Sequence, residues 1–242
     1  MIKKFIKAIS KPHLIPEKII NTIRFNSLRK KYNLRTYEND QNLKFDQLGL
    51  DREKGIFNLN QLKKQNPVLI RAMSSEHETL FCSISLLKKK EDLNILEIGT
   101  HDGINSYLLS LLFENSKIKT IDLESKDYEF QNSYNREKNY INFIKQRDEA
   151  IKERKNIFFK EQNSLSLINT NEKYDLIWVD GSHGYPTVCI DIINSLKLIN
   201  NNGLILCDDV FINKPKNQDR TYSSIATFET IMALKKEKLI NF

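Results

Sequence analysis

Cysteine is scarce in this chain: three in 242 residues, Cys82, Cys189 and Cys207, far apart and without metal-ligand spacing. So sparse and odd a set excludes a disulfide framework and points to a reducing, cytoplasmic compartment. No apolar run exceeds strand length, which excludes a hydrophobic membrane-spanning helix. The N-terminus is basic, but it lacks the unbroken apolar stretch and small-residue cleavage site of a signal peptide. Glycine is rare too, at 7 residues. Each glycine at a turn is therefore informative, because it takes backbone conformations that other residues resist.

Apolar residues, at 40%, suffice for a sizeable core, and the length suits one domain with elaborations. Lys and Asn are frequent, and the formal charge is +7. The excess is local: residues 1–37 hold ten Lys/Arg against the single acid Glu17. No recognition motif for nucleic acid accompanies it, so a specific nucleic-acid partner is not expected. An anionic membrane face or an acidic substrate suits such a surface.

Ile2, Phe5, Ile6 and Ile9 recur at helical spacing with lysines opposite, which predicts a short amphipathic helix closed by Pro12. Residues 1–37 thus form a basic helical extension. It either packs on the main domain or rests through residues 1–12 on the inner membrane face. Residues 38–73 are polar and punctuated by Gly49, Gly55 and Pro67, and they read as a lid or linker of low regularity. A main domain is expected over 74–242, opening with a helix from Ser74 to about Lys90 that carries His77 in its first turn.

From there strands and helices alternate. Strands are expected at 93–98, 118–123, 157–159, 174–179 and 204–207, with helical segments at 104–113, 126–154, 187–199 and 223–236. Alternation of this kind specifies an α/β fold, a doubly wound and mostly parallel sheet covered on both faces.

Chemistry-bearing residues gather at the expected strand ends. Ile98-Gly99-Thr100-His101-Asp102-Gly103 is a tight turn between a buried strand and a helix start, where a nucleotide-like ligand sits in such sheets. Glu97 lies inside the apolar strand before it, and a carboxylate there suits a cationic, amine-bearing ligand better than a pyrophosphate. Asp122 ends the next strand and can accept from both hydroxyls of a ribose, with Glu124 as the fallback. Gln162-Asn163-Ser164 follows the third strand, where amide and hydroxyl groups can read an adenine edge or simply form a turn.

The most specific constellation is Asp180-Gly181-Ser182-His183 after one strand and Asp208-Asp209-Val210 after the next. If these strands are neighbours, three carboxylates converge, and they require a proton or a cation among them. Oxygen ligands suit Mg²⁺ or a similar hard ion. His183 stands three residues past Asp180, within reach of a hydroxyl proton, and Asp180 itself competes for that duty.

Taken together, these segments resemble the class I methyltransferases that use S-adenosylmethionine (SAM). The closest resemblance is to the metal-dependent O-methyltransferase branch with macrocin- and novobiocin-type sugar methyltransferases. Over about residues 74–235 the resemblance implies a Rossmann-like fold and methyl transfer to a hydroxyl of a small molecule or glycan. SAM would lie against Gly99, Thr100, His101, Asp102 and Gly103, with Asp122 on the ribose and Mg²⁺ on Asp180, Asp208 and Asp209. In catechol-type relatives a lysine three residues past the first metal acid is the base; His183 holds that spacing here.

Two departures stand out. His101 replaces the middle glycine of the general turn pattern. The family's closing antiparallel hairpin has no counterpart, since too few residues follow position 236 to form it. The sheet edge is then expected to be left for another segment or a second copy of the chain to cover. A nicotinamide dinucleotide oxidoreductase is disfavoured, because the turn lacks the second and third glycines that a dinucleotide fingerprint demands. A non-catalytic, membrane-associated assembly factor that keeps the fold is the remaining alternative. Acceptor contacts are expected from 38–75 and 211–222, whose sequences carry no decodable pattern.

Overall fold

β1 (Asn94–Ile98) and β4 (Tyr174–Val179) are nearly continuous apolar runs and lie side by side at the centre of a five-stranded sheet of order β3-β2-β1-β4-β5. β2 spans Lys117–Asp122, β3 Ile157–Glu161 and β5 Ile199–Cys207. Every pairing is parallel. The computed structural model describes residues 34–70, 76–88, 92–132, 140–212 and 225–241. The expected helix over 2–9 lies outside them.

The chain divides into two compact units, Met1–Glu53 and Lys54–Phe242. In the first, α1 (Leu34–Gln47) is a polar helix that buries Phe45. α2 (Arg52–Gln65) begins at the unit boundary. The reading of 38–73 as a lid or linker of low regularity is therefore corrected: two helices and a 3₁₀ turn (Pro67–Leu69) occupy most of its described residues. Gly55, taken as loop punctuation, is a helix contact instead. A Cβ there would lie 2.1 Å from Ser83 Oγ of α3 (Glu76–Leu87), so its absence lets the two helices meet. Lys63 Nζ also reaches the buried Glu78 Oε2 at 2.7 Å.

Between the strands run α4 (Ile104–Leu112), α5 (Tyr128–Asn132), α6 (Tyr140–Lys152), a 3₁₀ segment (Ser164–Asn169) and α7 (Thr187–Leu198); α8 (Ala226–Lys236) follows β5. One sheet face buries Leu96, Ile98, Ile121, Ile177 and Val179 with Leu167 and Leu198. On the other side Trp178 meets Phe81 of α3 edge-on, ring centroids 5.1 Å apart. With both faces covered, successive residues of β1 are all apolar or internally bonded, as a buried parallel strand requires.

Among the described residues no strand follows β5, which stands at the sheet edge with Leu204 38% exposed. β5 also starts five residues earlier than expected. Tyr174 pairs with Ile199, and after an irregularity Leu176 pairs with Leu204. The polar Asn-Asn-Asn-Gly stretch is part of this strand because Gly203 packs against Ile199 and the Asp175 carbonyl.

Candidate active site

The strand order reverses between β1 and β4, and a crevice at the carboxyl ends of those strands is where such sheets bind ligands. The turn after β1 is built for close approach. Gly99 has φ +101°, and a Cβ there would stand 2.1 Å from the Asp180 carbonyl oxygen. Gly103 has φ +74° and starts α4 against Ile151 and the Arg147 carbonyl. Between them His101 takes φ +49°, the conformation a glycine would hold more easily. The Gly99 and Thr100 amides donate to Ile121 O at 2.9 and 3.2 Å, and the Thr100 and Thr120 hydroxyls meet at 2.7 Å. Asp102 accepts from the Ile104 amide at 3.1 Å, holding the helix start.

Glu97 is fully buried beneath this turn. Its carboxylate accepts from Asn105 Nδ2 at 2.8 Å, from Thr120 Oγ1 at 2.6 Å and from the Ser106 hydroxyl. It thereby ties β1 to β2 and to the first turn of α4. Asp122 accepts the His101 amide at 2.9 Å and the Leu123 amide at 2.8 Å, and lies half-exposed at the end of β2. Asn163 Oδ1 caps the 3₁₀ segment through the Leu165 amide at 3.0 Å, and Gln162 Nε2 donates to Ser166 Oγ at 2.8 Å. Asn163 Oδ1 and Gln162 Nε2 are thus engaged locally, while the buried Gln162 Oε1 has no hydrogen-bond partner.

Asp180, Asp208 and Asp209 do converge. The Asp180 amide donates to Ile98 O at 2.9 Å and the Asp208 amide to Val179 O at 3.0 Å, so both acids leave their strands at one level. Asp180 and Asp208 lie close enough for the charge of Asp208 to act on the Asp180 carboxyl. Asp180 keeps 29% of its side-chain surface yet sits deep in the crevice. Lost hydration first, then the charges of Asp208 and Glu97, push its carboxyl well above the usual range. Asp209 is raised as well by lost hydration, and His183 holds that rise back.

His183 is buried between two of the acids, with Nε2 3.7 Å from Asp180 Oδ1 and 3.6 Å from Asp209 Oδ2. A second histidine approaches from α3. His77 Nδ1 is 3.9 Å from Asp208 Oδ1, and its ring lies 5.2 Å from that of Trp178. Sequence reading gave His77 only a helix-start role, since nothing in one dimension says that α3 delivers it to the acid cluster. His101 points elsewhere, toward Phe143 of α6 at 4.9 Å.

Among the described residues no three His, Cys, Asp or Glu side chains form a ready-made metal site. Asp180, Asp208 and Asp209 nevertheless supply oxygen donors, the donor type that a hard divalent cation takes.

Residues 96–210, which contain this whole cluster except His77, match the family described as a methyltransferase domain. No curated protein matches the chain. Among solved structures, an S-adenosylhomocysteine (SAH)-bound methyltransferase from Podospora anserina is similar at 18% identity and TM-score 0.51, covering 85% of this chain and 88% of that one. An O-methyltransferase from Bacillus cereus in complex with SAH gives 17% identity and TM-score 0.45, covering 76% and 77%. The O-methyltransferase TomG from Streptomyces achromogenes, in complex with SAM, gives 16% and 0.46, covering 82% and 83%. Residues 96–210 are thus similar to the methyltransferase-domain family, and the sheet order is that of the fold of the SAH-bound methyltransferase.

Proposed function

We propose that the chain transfers the methyl group of SAM to a hydroxyl of a small-molecule or glycan acceptor, assisted by Mg²⁺ or a similar divalent cation. The observation that carries this reading is the meeting of Asp180, Asp208, Asp209 and His183 beside the Gly99 turn. When bound, SAM supplies an electrophilic methyl on its sulfonium, and a cation supplies polarisation of the acceptor oxygen.

The residues divide that work. Gly99, Thr100, His101, Asp102 and Gly103 offer a backbone cradle for the methionine part, and Asp122 offers acceptors for the ribose. Glu97 keeps that cradle in shape through Asn105, Ser106 and Thr120. Asp180, Asp208 and Asp209 would hold the cation and orient the acceptor hydroxyl in line with the methyl. His183 takes the hydroxyl proton, with carboxylates on two sides to offset the charge it acquires. Asp180, 3.7 Å from His183 Nε2, is the competing base.

A glycan hydroxyl suits the oxygen-rich mouth of the site. The basic segment 1–37 supports peripheral contact with an anionic surface on the cytoplasmic side. β5 is the sheet edge among the described residues, which supports a second copy of the chain as its cover. Isothermal titration with SAH, alone and with Mn²⁺, tests the core of the reading. Micromolar SAH binding that strengthens with the ion is expected. Absence of binding at millimolar SAH ends it, and binding indifferent to the ion ends the metal part.

A further inference from the structure

α3 begins beside the acid cluster, and its first turn carries His77. The imidazole Nδ1 stands 3.9 Å from Asp208 Oδ1. Two aromatic rings fix it there. The imidazole centroid lies 5.2 Å from that of Trp178 and 5.8 Å from that of Phe81, and Phe81 meets Trp178 edge-on at 5.1 Å. Phe81 follows His77 by one helical turn, so α3 presents both rings on one side. Trp178 stands near the end of β4, just before Asp180, and both Trp178 and Phe81 are buried. Lost hydration raises the Asp180 carboxyl, and the Trp178 indole opposes that rise. His183 flanks Asp180 and Asp209, while His77 flanks Asp208.

We infer that His77 is a positioning residue, which braces the Asp208 carboxylate in the orientation that lets it join Asp180 around a divalent cation. Through it α3, which lies outside the sheet, becomes part of the cation site. This rests on the reading of the acid cluster as such a site. An imidazole suits the duty because its carbon edge packs on Trp178 and Phe81 while a ring nitrogen stays turned to the carboxylate. Groups that contact a ligating side chain orient it, and losing one costs about 10- to 100-fold in metal affinity.

The test is the Mn²⁺ affinity of the full chain with SAH present, read from the electron paramagnetic resonance of free Mn²⁺, in wild type, His77→Phe and His77→Asn. Phe keeps a ring against Trp178 and lacks the nitrogen; Asn places an amide near the position of Nδ1. His77→Phe should bind Mn²⁺ at least about 10-fold more weakly, with SAH affinity and melting temperature unchanged. His77→Asn should return to within about threefold of wild type. Wild-type Mn²⁺ affinity in His77→Phe, or no recovery in His77→Asn, overturns the inference and leaves the cation reading intact. Failure of wild type to bind Mn²⁺ removes both. Should His77→Phe not fold, a wild-type crystal soaked with SAH and Mn²⁺ decides. His77 Nδ1 at hydrogen-bond distance from an ion-bound Asp208 supports the assignment, and a separation beyond about 4 Å overturns it.

Discussion

The Asp180 amide donates to Ile98 O and the Asp208 amide to Val179 O, so the two acids leave neighbouring parallel strands at one level, where the charge of Asp208 helps to raise the Asp180 carboxyl. Asp208→Asn should lower the turnover of methyl transfer by about 100-fold. Affinity for SAH should change little, because the cofactor cradle lies on β1. Turnover and SAH affinity measured side by side check this; an equal loss in both would mean the acids serve cofactor binding instead.

His183→Gln should also cut turnover by about 100-fold and remove the acid limb of the pH–rate profile, while KM for SAM moves little. Retention of that limb in the variant would pass the proton-accepting duty to Asp180.

Asp191 makes stability depend on pH with a definite sign. Its carboxyl titrates near 3.8 when unfolded and at about 6 when folded, so the folded chain binds more protons between those values. Stability is therefore highest below that window and falls as pH rises through it, by at most about 3 kcal/mol. Asp180, also raised, acts in the same direction. Thermal melts from pH 4.5 to 8 should show the wild type losing more stability than Asp191→Asn; parallel curves would refute the burial of this carboxylate on α7.

Glu97→Ala would strand three buried donors, Asn105, Ser106 and Thr120, and should destabilise the domain by about 3–5 kcal/mol. Glu97→Gln keeps the shape and part of the bonding and should cost about 1–3 kcal/mol. Urea unfolding of the two variants distinguishes this network from a carboxylate free to serve a ligand.

Glycine substitutions separate space from strain. Gly99→Ala meets the Asp180 carbonyl at 2.1 Å and should abolish SAH binding along with much of the stability. Gly49→Ala has nothing within 4 Å, and only its φ of +69° opposes the change, so a loss of about 1 kcal/mol is expected. Similar losses in both would show that the β1–β4 crossing is looser than described.

Much of the fold was legible because strands buried on both faces must be short apolar runs, and β1, β2 and β4 fall where those runs do. The three acids could be read as one cluster because parallel neighbours carry their terminal residues to the same rim. What was hidden has physical reasons. α1 and α2 are so polar that no apolar period marks them, and Gly55 in α2 signals packing only once Ser83 is seen opposite. The first half of β5 is Asn-rich and becomes a strand by pairing with Tyr174 rather than by propensity. His77 sits in a helix where sequence spacing cannot tell a site-facing side chain from a solvated one.

The account stands most directly on where a nucleoside and an ion would lie. A crystal soaked with SAH and Mn²⁺ should show nucleoside density along the Gly99–Gly103 turn and an anomalous peak bridging Asp180 with Asp208 or Asp209. Nucleoside density elsewhere, or an ion peak away from those carboxylates, would contradict it.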